Sequence, residues 1–190
     1  MMLFGTPVMV FDDVLPNNYR LRMLEKANTI KDKTVDSGKQ WLCDVYSTCH
    51  DYELLEDEDF LELMKCQVRM CNTFLRQHGV EDMVVPQSAW LNAYTAKQFQ
   101  DVHKHPNVFV SSVYFLAAPE GSAPLMIHNP VQPDMTFRNT KTEHLQIYKE
   151  IKAVPNRLVT FLSWTPHSVP QGTNKEPRWT IASNYGVRHD

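Results

Sequence analysis

The 190-residue sequence lacks long hydrophobic segments and carries little net charge. No run of about 18 apolar residues occurs, and this argues against a transmembrane helix. The first residues lack the charged start and long apolar core of a secretory signal, so we expect a cytoplasmic protein. The net charge of -3 provides no global basic field, which disfavours nucleic acid as a partner.

Cysteine is scarce, and internal repeats and low-complexity segments are absent from the sequence. The four cysteines, Cys43, Cys49, Cys66 and Cys71, form no C-x-x-C pair. This spacing disfavours a structural zinc site and predicts reduced thiols. The apolar content of 43% and charged content of 22% are ordinary for a folded protein. Together with the length, they predict a single domain over residues 1–190.

The chain changes character near residue 86. Before it, apolar residues recur at helical spacing in two segments, the second introduced by an acidic cluster at residues 57–59 and ended by Gly79. After it, short runs rich in β-branched and aromatic residues predict strands. The predicted elements are a strand at 8–11, helices at 17–30 and 60–75, a loop at 31–56 with an optional strand at 41–46, strands at 90–94, 108–116, 125–127, 148–153, 158–164, 167–169 and 178–185, and an inserted loop at 129–147.

Helices followed by many short strands predict an α+β, mostly β fold in which helices pack on one side of an antiparallel core. The helical part would span about residues 1–86 and the β core about 88–186. Three tryptophans, Trp90, Trp164 and Trp179, are expected to pack this core, with Trp164 or Trp179 as candidates for the edge of a substrate opening. The two long loops would shape that opening.

Three histidines suggest a metal site. His103 and His105 are two residues apart in an extended segment, so their side chains would point to the same face. His167 follows another apolar run, and packing of the two segments would bring three neutral nitrogens together. Imidazole suits zinc, copper, iron and nickel.

Arg178 follows His167 by eleven residues and begins the last predicted strand. A guanidinium buried near a metal would need a carboxylate, which it can bind through two hydrogen bonds. A metal together with a carboxylate-binding Arg indicates a metal-bound acid cosubstrate.

At these residues the chain resembles the iron(II)- and 2-oxoglutarate-dependent oxygenases, especially small bacterial and phage-encoded members and, more distantly, prolyl 4-hydroxylases. The resemblance covers roughly residues 88–186 and implies a double-stranded β-helix (jelly roll). It implies Fe(II) and 2-oxoglutarate as cofactors, and, for a phage-encoded member, the host cytoplasm as location. His103 and His167 match the two metal histidines of the family, and Arg178 matches the residue that binds the distal carboxylate of 2-oxoglutarate.

The chain departs from the family pattern at His105, where relatives carry a carboxylate ligand. Two interpretations stay open: a three-histidine iron site, or a site that takes a carboxylate from elsewhere, with Asp101 as the nearest candidate. The resemblance also implies that Tyr94 and Ser111 line the cosubstrate pocket. Where prolyl-hydroxylase-like relatives have Tyr-Tyr-Leu, this chain has Tyr114-Phe115-Leu116, so one phenol is missing.

The implied activity is a dioxygenase that hydroxylates a substrate and releases succinate and CO2. A protein residue such as proline, a free amino acid and a small metabolite are all compatible with the sequence. Two alternatives remain: a cupin-like metal enzyme that uses no 2-oxoglutarate, and a non-enzymatic jelly-roll binding or structural module. The sequence does not determine the oligomeric state.

Overall fold

A computed structural model describes residues 5–34, 41–131 and 146–188. Parts of both predicted long loops, at 35–40 and 132–145, lie outside the described residues. The described chain forms ten strands and two α-helices. No helix among the described residues is long and apolar enough to span a membrane.

The helices are α1 (Asn17–Lys31) and α2 (Leu61–Gln77), and two short 3-10 turns precede α2 at Leu54–Glu56 and Glu58–Phe60. The strands are β1 (Val8–Phe11), β2 (Tyr46–Ser47), β3 (Met83–Tyr94), β4 (Gln100–His103), β5 (Val110–Ala117), β6 (Leu125–His128), β7 (Tyr148–Ile151), β8 (Leu158–Leu162), β9 (His167–Val169) and β10 (Arg178–Arg188).

The strands form two antiparallel sheets. The major sheet has the order β1-β8-β5-β10-β3-β2, and the minor sheet has the order β4-β9-β6-β7. Strands that follow one another in sequence repeatedly belong to different sheets, as in a jelly roll. Apolar side chains of β5 and β8 pack against β6 and the start of the β7–β8 connection, so the two sheets enclose a common interior. The predicted mostly-β, double-stranded β-helix fold is confirmed.

Both helices pack on the outer face of the major sheet. Met23 and Ile30 of α1 share a buried cluster with Leu63 of α2 and with Leu91 and Ile181 of the sheet. Because strand side chains alternate between faces, the residues on either side of Leu91 and Ile181 point to the interior. The helices therefore cover one face and leave the other for the site.

The structure differs from the sequence prediction at Pro86. β3 starts at Met83, so Pro86 lies within a strand rather than before one. The pairing of β3 with β10 shifts register between Asn184 and Tyr185, and Tyr185 is the residue opposite Pro86. A bulge accommodates a proline because the missing N–H then interrupts no regular ladder bond.

Two further expectations need correction. Instead of a strand over residues 41–46, only Tyr46 and Ser47 pair, as β2. Trp164 lies in the turn after β8 and is 54% exposed, so it does not pack the core, whereas Trp90 and Trp179 do.

Candidate metal and cosubstrate site

A cavity of about 430 Å³ lies between the two sheets. This volume is within the usual range for ligand pockets. Trp41 and Cys49, from the predicted loop over residues 31–56, contribute to its lining, as that prediction required. The cavity contains the three candidate metal histidines, Arg178, Tyr94 and Ser111.

The three histidines form one cluster. The pairing of β4 with β9 places His103 opposite His167, and His105 follows β4 by two residues. One ligand atom from each imidazole lies within 4.8 Å of the others. Among the described residues this is the only group of three or more histidine, cysteine or acidic side chains with such spacing.

Backbone carbonyl groups orient two of these rings. Nδ1 of His103 donates to the carbonyl oxygen of Asp101 (2.7 Å), and Nδ1 of His167 donates to that of Thr165 (3.0 Å). A carbonyl oxygen only accepts, so the proton is on Nδ1 and the lone pair on Nε2 is available to a metal. His105 is positioned differently: its backbone N–H donates to Ser163 (3.0 Å), and its ring meets Trp90 edge-on at 5.8 Å.

Burial keeps the cluster uncharged. It lowers the pKa of His105 to about 4 and that of His167 to about 3, with a further contribution from the neighbouring His103. The pKa of His103 is lowered as well, again chiefly by burial. Neutral imidazole is the form that binds metals, so the cluster is ready to coordinate one at neutral pH.

The Asp101 carboxylate is not part of the cluster. Asp101 is exposed, and it contacts the cluster through its backbone oxygen. Of the two ligand sets that the sequence left open, the geometry of the described residues brings together the three-histidine set.

Arg178 presents a buried cation to the cavity. It is 1% exposed, and none of its three guanidinium nitrogens has a hydrogen-bond partner in the described structure. The guanidinium carbon lies 5.1 Å from the centre of the Tyr94 ring and 4.9 Å from that of Phe115. Burial lowers the pKa of Arg178 to about 10, so the group remains charged at neutral pH. An unpaired buried charge is costly, and its place in a cavity fits a bound carboxylate.

Tyr94 stands beside Arg178 because the two residues pair across β3 and β10. Burial raises the pKa of its phenol to about 12, so it is a neutral hydroxyl group at pH 7. Phe115 supplies only a ring to Arg178, whereas the Tyr114 hydroxyl donates to the Asn156 side chain (2.9 Å). The second phenol of the relatives' Tyr-Tyr-Leu pattern is therefore absent next to Arg178.

Ser111 also lines the cavity, but at the opposite end from Arg178. It pairs with Asn184, which is six residues from Arg178 along β10, or roughly 20 Å in an extended strand. Its hydroxyl donates to Oδ1 of Asn184 (2.7 Å) and contacts the Ser163 hydroxyl (2.8 Å). This position does not fit the expectation that Ser111 meets the carboxylate held by Arg178.

Several residues of the cavity lining were not predicted from the sequence to belong to the site. They lie on the interior positions of β3 and β10, namely Ser88, Trp90, Asn92, Thr180, Ala182 and Asn184. Alternation with the helix-facing residues is the signal that places these side chains on the interior face. His128 is not in the cluster; its Nε2 bonds to the Ser168 hydroxyl (2.8 Å), as expected for a structural histidine.

The fold and this site define a jelly-roll protein with three converging imidazoles and an unpaired cation for an acidic ligand. Residues 88–184 match the protein family described as "Putative 2OG-Fe(II) oxygenase". The match covers just over half of the chain, and the chain belongs to this family of 2-oxoglutarate- and Fe(II)-dependent oxidoreductases. No curated protein matches the sequence.

Solved structures with the same fold include prolyl hydroxylases. A Pseudomonas putida prolyl-4-hydroxylase has 15% identity and a TM-score of 0.62, with 97% of this chain and 94% of that chain covered. A viral collagen prolyl hydroxylase from Paramecium Bursaria Chlorella virus-1, in its 2-oxoglutarate complex, has 14% identity, a TM-score of 0.64, and coverage of 96% and 98%.

The fold is also shared with an enzyme of different activity. The α-ketoglutarate-dependent epimerase SnoN of nogalamycin biosynthesis has 13% identity and a TM-score of 0.68, with 95% of this chain and 76% of that chain covered. At these identities the likeness shows the fold alone. The reaction and substrate have to be argued from the site.

Proposed function

We propose that the protein is an Fe(II)- and 2-oxoglutarate-dependent dioxygenase that hydroxylates its substrate. When bound, iron and 2-oxoglutarate supply the activation of O2, with which one substrate C–H bond becomes C–OH and 2-oxoglutarate becomes succinate and CO2. The observation that carries the proposal is the unpaired guanidinium of Arg178 in the same cavity as the three-histidine cluster.

His103, His105 and His167 would hold the metal from one side of the cavity. Three protein ligands leave the remaining positions of a six-coordinate ion for cosubstrate and oxygen. With three neutral imidazoles, the metal site has one positive charge more than a site with one carboxylate ligand. An anionic cosubstrate would offset part of this extra positive charge, which favours the binding of 2-oxoglutarate over the retention of water.

Arg178 would bind the distal carboxylate of 2-oxoglutarate. Its planar fork offers two parallel N–H donors to the two carboxylate oxygens. Tyr94 and Phe115 flank the guanidinium and exclude water, which strengthens the charge pairing. Tyr94 also provides a neutral hydroxyl in the lining of the same cavity.

The two alternative functions fit these contacts less well. A cupin-like enzyme without 2-oxoglutarate leaves the buried charge of Arg178 uncompensated. A jelly-roll scaffold requires neither that charge nor three clustered histidines, two of which are oriented with the Nε2 lone pair free. Family membership agrees with the enzymatic interpretation.

An anaerobic titration with Fe(II), with and without 2-oxoglutarate, tests the proposal. We expect a weak visible charge-transfer band at one iron per chain, lost in His103→Ala and Arg178→Ala. Two control variants, His128→Ala and Arg157→Ala, remove a histidine and an arginine that lie outside the cavity lining, and both should keep the band. Iron binding without the band would favour the cupin-like enzyme, and no iron binding would favour the scaffold.

The same titration identifies the third ligand. His105→Ala should lower iron affinity by more than the roughly 10- to 100-fold typical of losing a supporting residue. His105→Asp restores the family's carboxylate and should recover binding, whereas Asp101→Ala should have little effect. Loss of iron in Asp101→Ala with binding intact in His105→Ala would reverse the assignment.

A further inference from the structure

A row of interior side chains on the major sheet leads to the histidine cluster. Ser111 on β5 lies opposite Asn184 on β10 and opposite Phe161 on β8. The centre of the Phe161 ring lies 4.8 Å from that of the His167 ring. All four residues line the cavity. This row therefore adjoins the proposed metal, whereas Arg178 begins the same strand β10 at the other end of the cavity.

Hydrogen bonds orient the side-chain amide of Asn184. Its Oδ1 accepts from the Ser111 hydroxyl (2.7 Å), which also contacts the Ser163 hydroxyl (2.8 Å). The Ser163 carbonyl accepts the backbone N–H of His105 (3.0 Å), so these contacts connect the row to the metal cluster. Within the described residues, no hydrogen bond uses the amide nitrogen of Asn184. Its two N–H groups are available to a ligand that can accept.

The described lining of the cavity contains no acidic side chain. Arg178 is the only lysine, arginine, aspartate or glutamate in it. Burial raises the pKa of Tyr94 to about 12 and also raises that of Cys49, so both groups are neutral at pH 7. A cationic group on a substrate would meet the metal and Arg178 with no described carboxylate to pair with, which is costly.

His105 changes the charge of the loaded site by one unit. Three neutral imidazoles add no charge to a divalent metal, 2-oxoglutarate brings two negative charges, and Arg178 brings one positive charge. The loaded site therefore keeps a single positive charge, whereas a carboxylate ligand in place of His105 would leave it neutral. Because an uncompensated charge between two packed sheets is costly, the site favours a second ligand with one negative charge.

We propose that the substrate presents a carboxylate to the metal end of the cavity, and that His105 and Asn184 make the site selective for it. His105 leaves the positive charge that the carboxylate compensates, and Asn184 donates its free N–H groups to the carboxylate oxygens. The substrate class is an organic acid without an ammonium group beside the carboxylate. This inference rests on the proposed function, because the charge count includes the metal and 2-oxoglutarate.

Saturation-transfer NMR on the full chain at pH 7, loaded with Zn(II) and 2-oxoglutarate, tests the inference without turnover. Three probes share one branched carbon skeleton: isovalerate, its neutral amide isovaleramide, and L-valine, which is isovalerate with an ammonium group. We expect isovalerate to bind at least about tenfold more tightly than the other two. The signals of 2-oxoglutarate in the same spectra should show that it stays bound, and omission of Zn(II) should remove the preference.

His105→Asp tests the origin of the preference in the charge of the site. It restores the family's carboxylate and removes the excess positive charge, so the preference for isovalerate over isovaleramide should fall about tenfold. Gln77→Glu is the matched control. It adds the same charge at the exposed end of α2, outside the cavity lining, and should leave the preference unchanged.

Asn184→Leu tests the contribution of the amide. It removes the N–H donors from a side chain of similar size, and it should weaken isovalerate binding about tenfold, as expected for a lost hydrogen bond to a charged group. Binding of 2-oxoglutarate should not change, because Arg178 lies at the other end of the cavity. Asn184→Asp keeps the oxygen that accepts from Ser111 but adds a negative charge, so it should weaken isovalerate binding further.

Four results would overturn the inference: equal binding of isovalerate and isovaleramide, including no binding of either; L-valine binding as tightly as isovalerate; displacement of 2-oxoglutarate by isovalerate; or an unchanged preference in both His105→Asp and Asn184→Leu. The Fe(II) titration separates this inference from the proposed function. A normal 2-oxoglutarate band with equal binding of acid and amide rejects the inference alone, whereas an absent band rejects the proposed function on which it rests.

Discussion

Arg178 is the residue whose buried charge indicates a bound ligand. It is among the largest fully buried side chains, and without a carboxylate its charge is uncompensated. Replacing a buried charged group by an apolar one of similar volume is often stabilising by about 1–4 kcal/mol. If Arg178 serves to bind a ligand, replacing it should stabilise the ligand-free protein. If it has a structural role, replacing it should destabilise the protein.

We expect Arg178→Met to raise the free energy of unfolding of the ligand-free protein by roughly 1–3 kcal/mol while abolishing stabilisation by 2-oxoglutarate. Denaturant melts with and without metal and cosubstrate measure both effects. Arg178→Lys, which keeps the charge but not the fork, should retain only weak stabilisation by 2-oxoglutarate. A ligand-free Arg178→Met protein that is less stable than wild type would mean that the guanidinium has a structural role.

At the scale of elements, the turn before β8 attaches the N-terminal segment to the major sheet. Asn156 has a positive φ of 68°, in the left-handed region that asparagine adopts more readily than most residues. Its side-chain oxygen accepts from the Leu15 N–H (3.1 Å) and the Tyr114 hydroxyl (2.9 Å), and its amide nitrogen donates to the Leu15 carbonyl (2.6 Å). One residue thus joins the start of α1, β5 and the β7–β8 turn.

Asn156→Ala should lower the free energy of unfolding by about 2–4 kcal/mol, since it loses these bonds and keeps an unfavourable φ. Asn156→Gly loses the same bonds but relieves the backbone, so it should be about 1 kcal/mol more stable than Asn156→Ala. Chemical denaturation of the two variants separates the contributions. Equal stability of alanine and glycine variants would show that the φ angle contributes nothing.

The start of α2 contains a second contact between elements. Asp57 accepts from the Asp59 N–H (2.9 Å), from the Tyr52 hydroxyl and from Lys26 of α1 (3.2 Å). Burial alone would raise the pKa of Asp57, but these hydrogen bonds outweigh it and hold the pKa below its usual value. A carboxylate with a depressed pKa stabilises the fold above its unfolded pKa of about 4 and loses that contribution as pH falls through the folded value.

We expect Asp57→Asn to cost about 1–2 kcal/mol at pH 7, since a charged acceptor is replaced by a neutral one. The difference from wild type should shrink as pH falls below about 4, the unfolded pKa, and disappear below the lower pKa of the folded state. Urea melts from pH 3 to pH 8 test this. Asp59→Asn, at a more exposed partner of Lys26, is the control and should change stability less.

For the whole molecule, the shared interior of the two sheets predicts that the chain unfolds as one domain. Circular dichroism and tryptophan fluorescence should report a single coincident transition. Because the metal would bind only where β4 and β9 pair, it should stabilise the entire fold. Anaerobic Fe(II) at 100 times its dissociation constant should add about 2.7 kcal/mol, or roughly 5–10 °C in Tm.

His103→Ala and His167→Ala should abolish that metal-dependent shift, with the His128→Ala variant responding as wild type. Two separate transitions, with the metal shifting only one, would contradict the single-domain prediction.

Local patterns in the sequence determined the helices, most strands and the types of residue in the site. The period-two alternation of the strands requires no knowledge of distant contacts. The same holds for the left-handed Asn156. His105, in contrast, lies beyond the end of β4 and is held by its backbone bond to Ser163. The resemblance then connected His167 and Arg178 to the His103–His105 pair. Element ends moved by a few residues because pairing partners, such as β10 opposite Pro86, decide where a strand stops.

Only the tertiary structure decided which residues share an end of the cavity. Ser111 and Arg178 were expected to contact the same carboxylate. The β5–β10 register instead separates them along the strand and places Ser111 opposite Asn184, to which it donates a hydrogen bond. The pairing of β4 with β9 brings His167 to His103, while Asp101 turns its carboxylate to solvent. Register and sheet closure are set by the packing of the whole β core, and no local pattern encodes them.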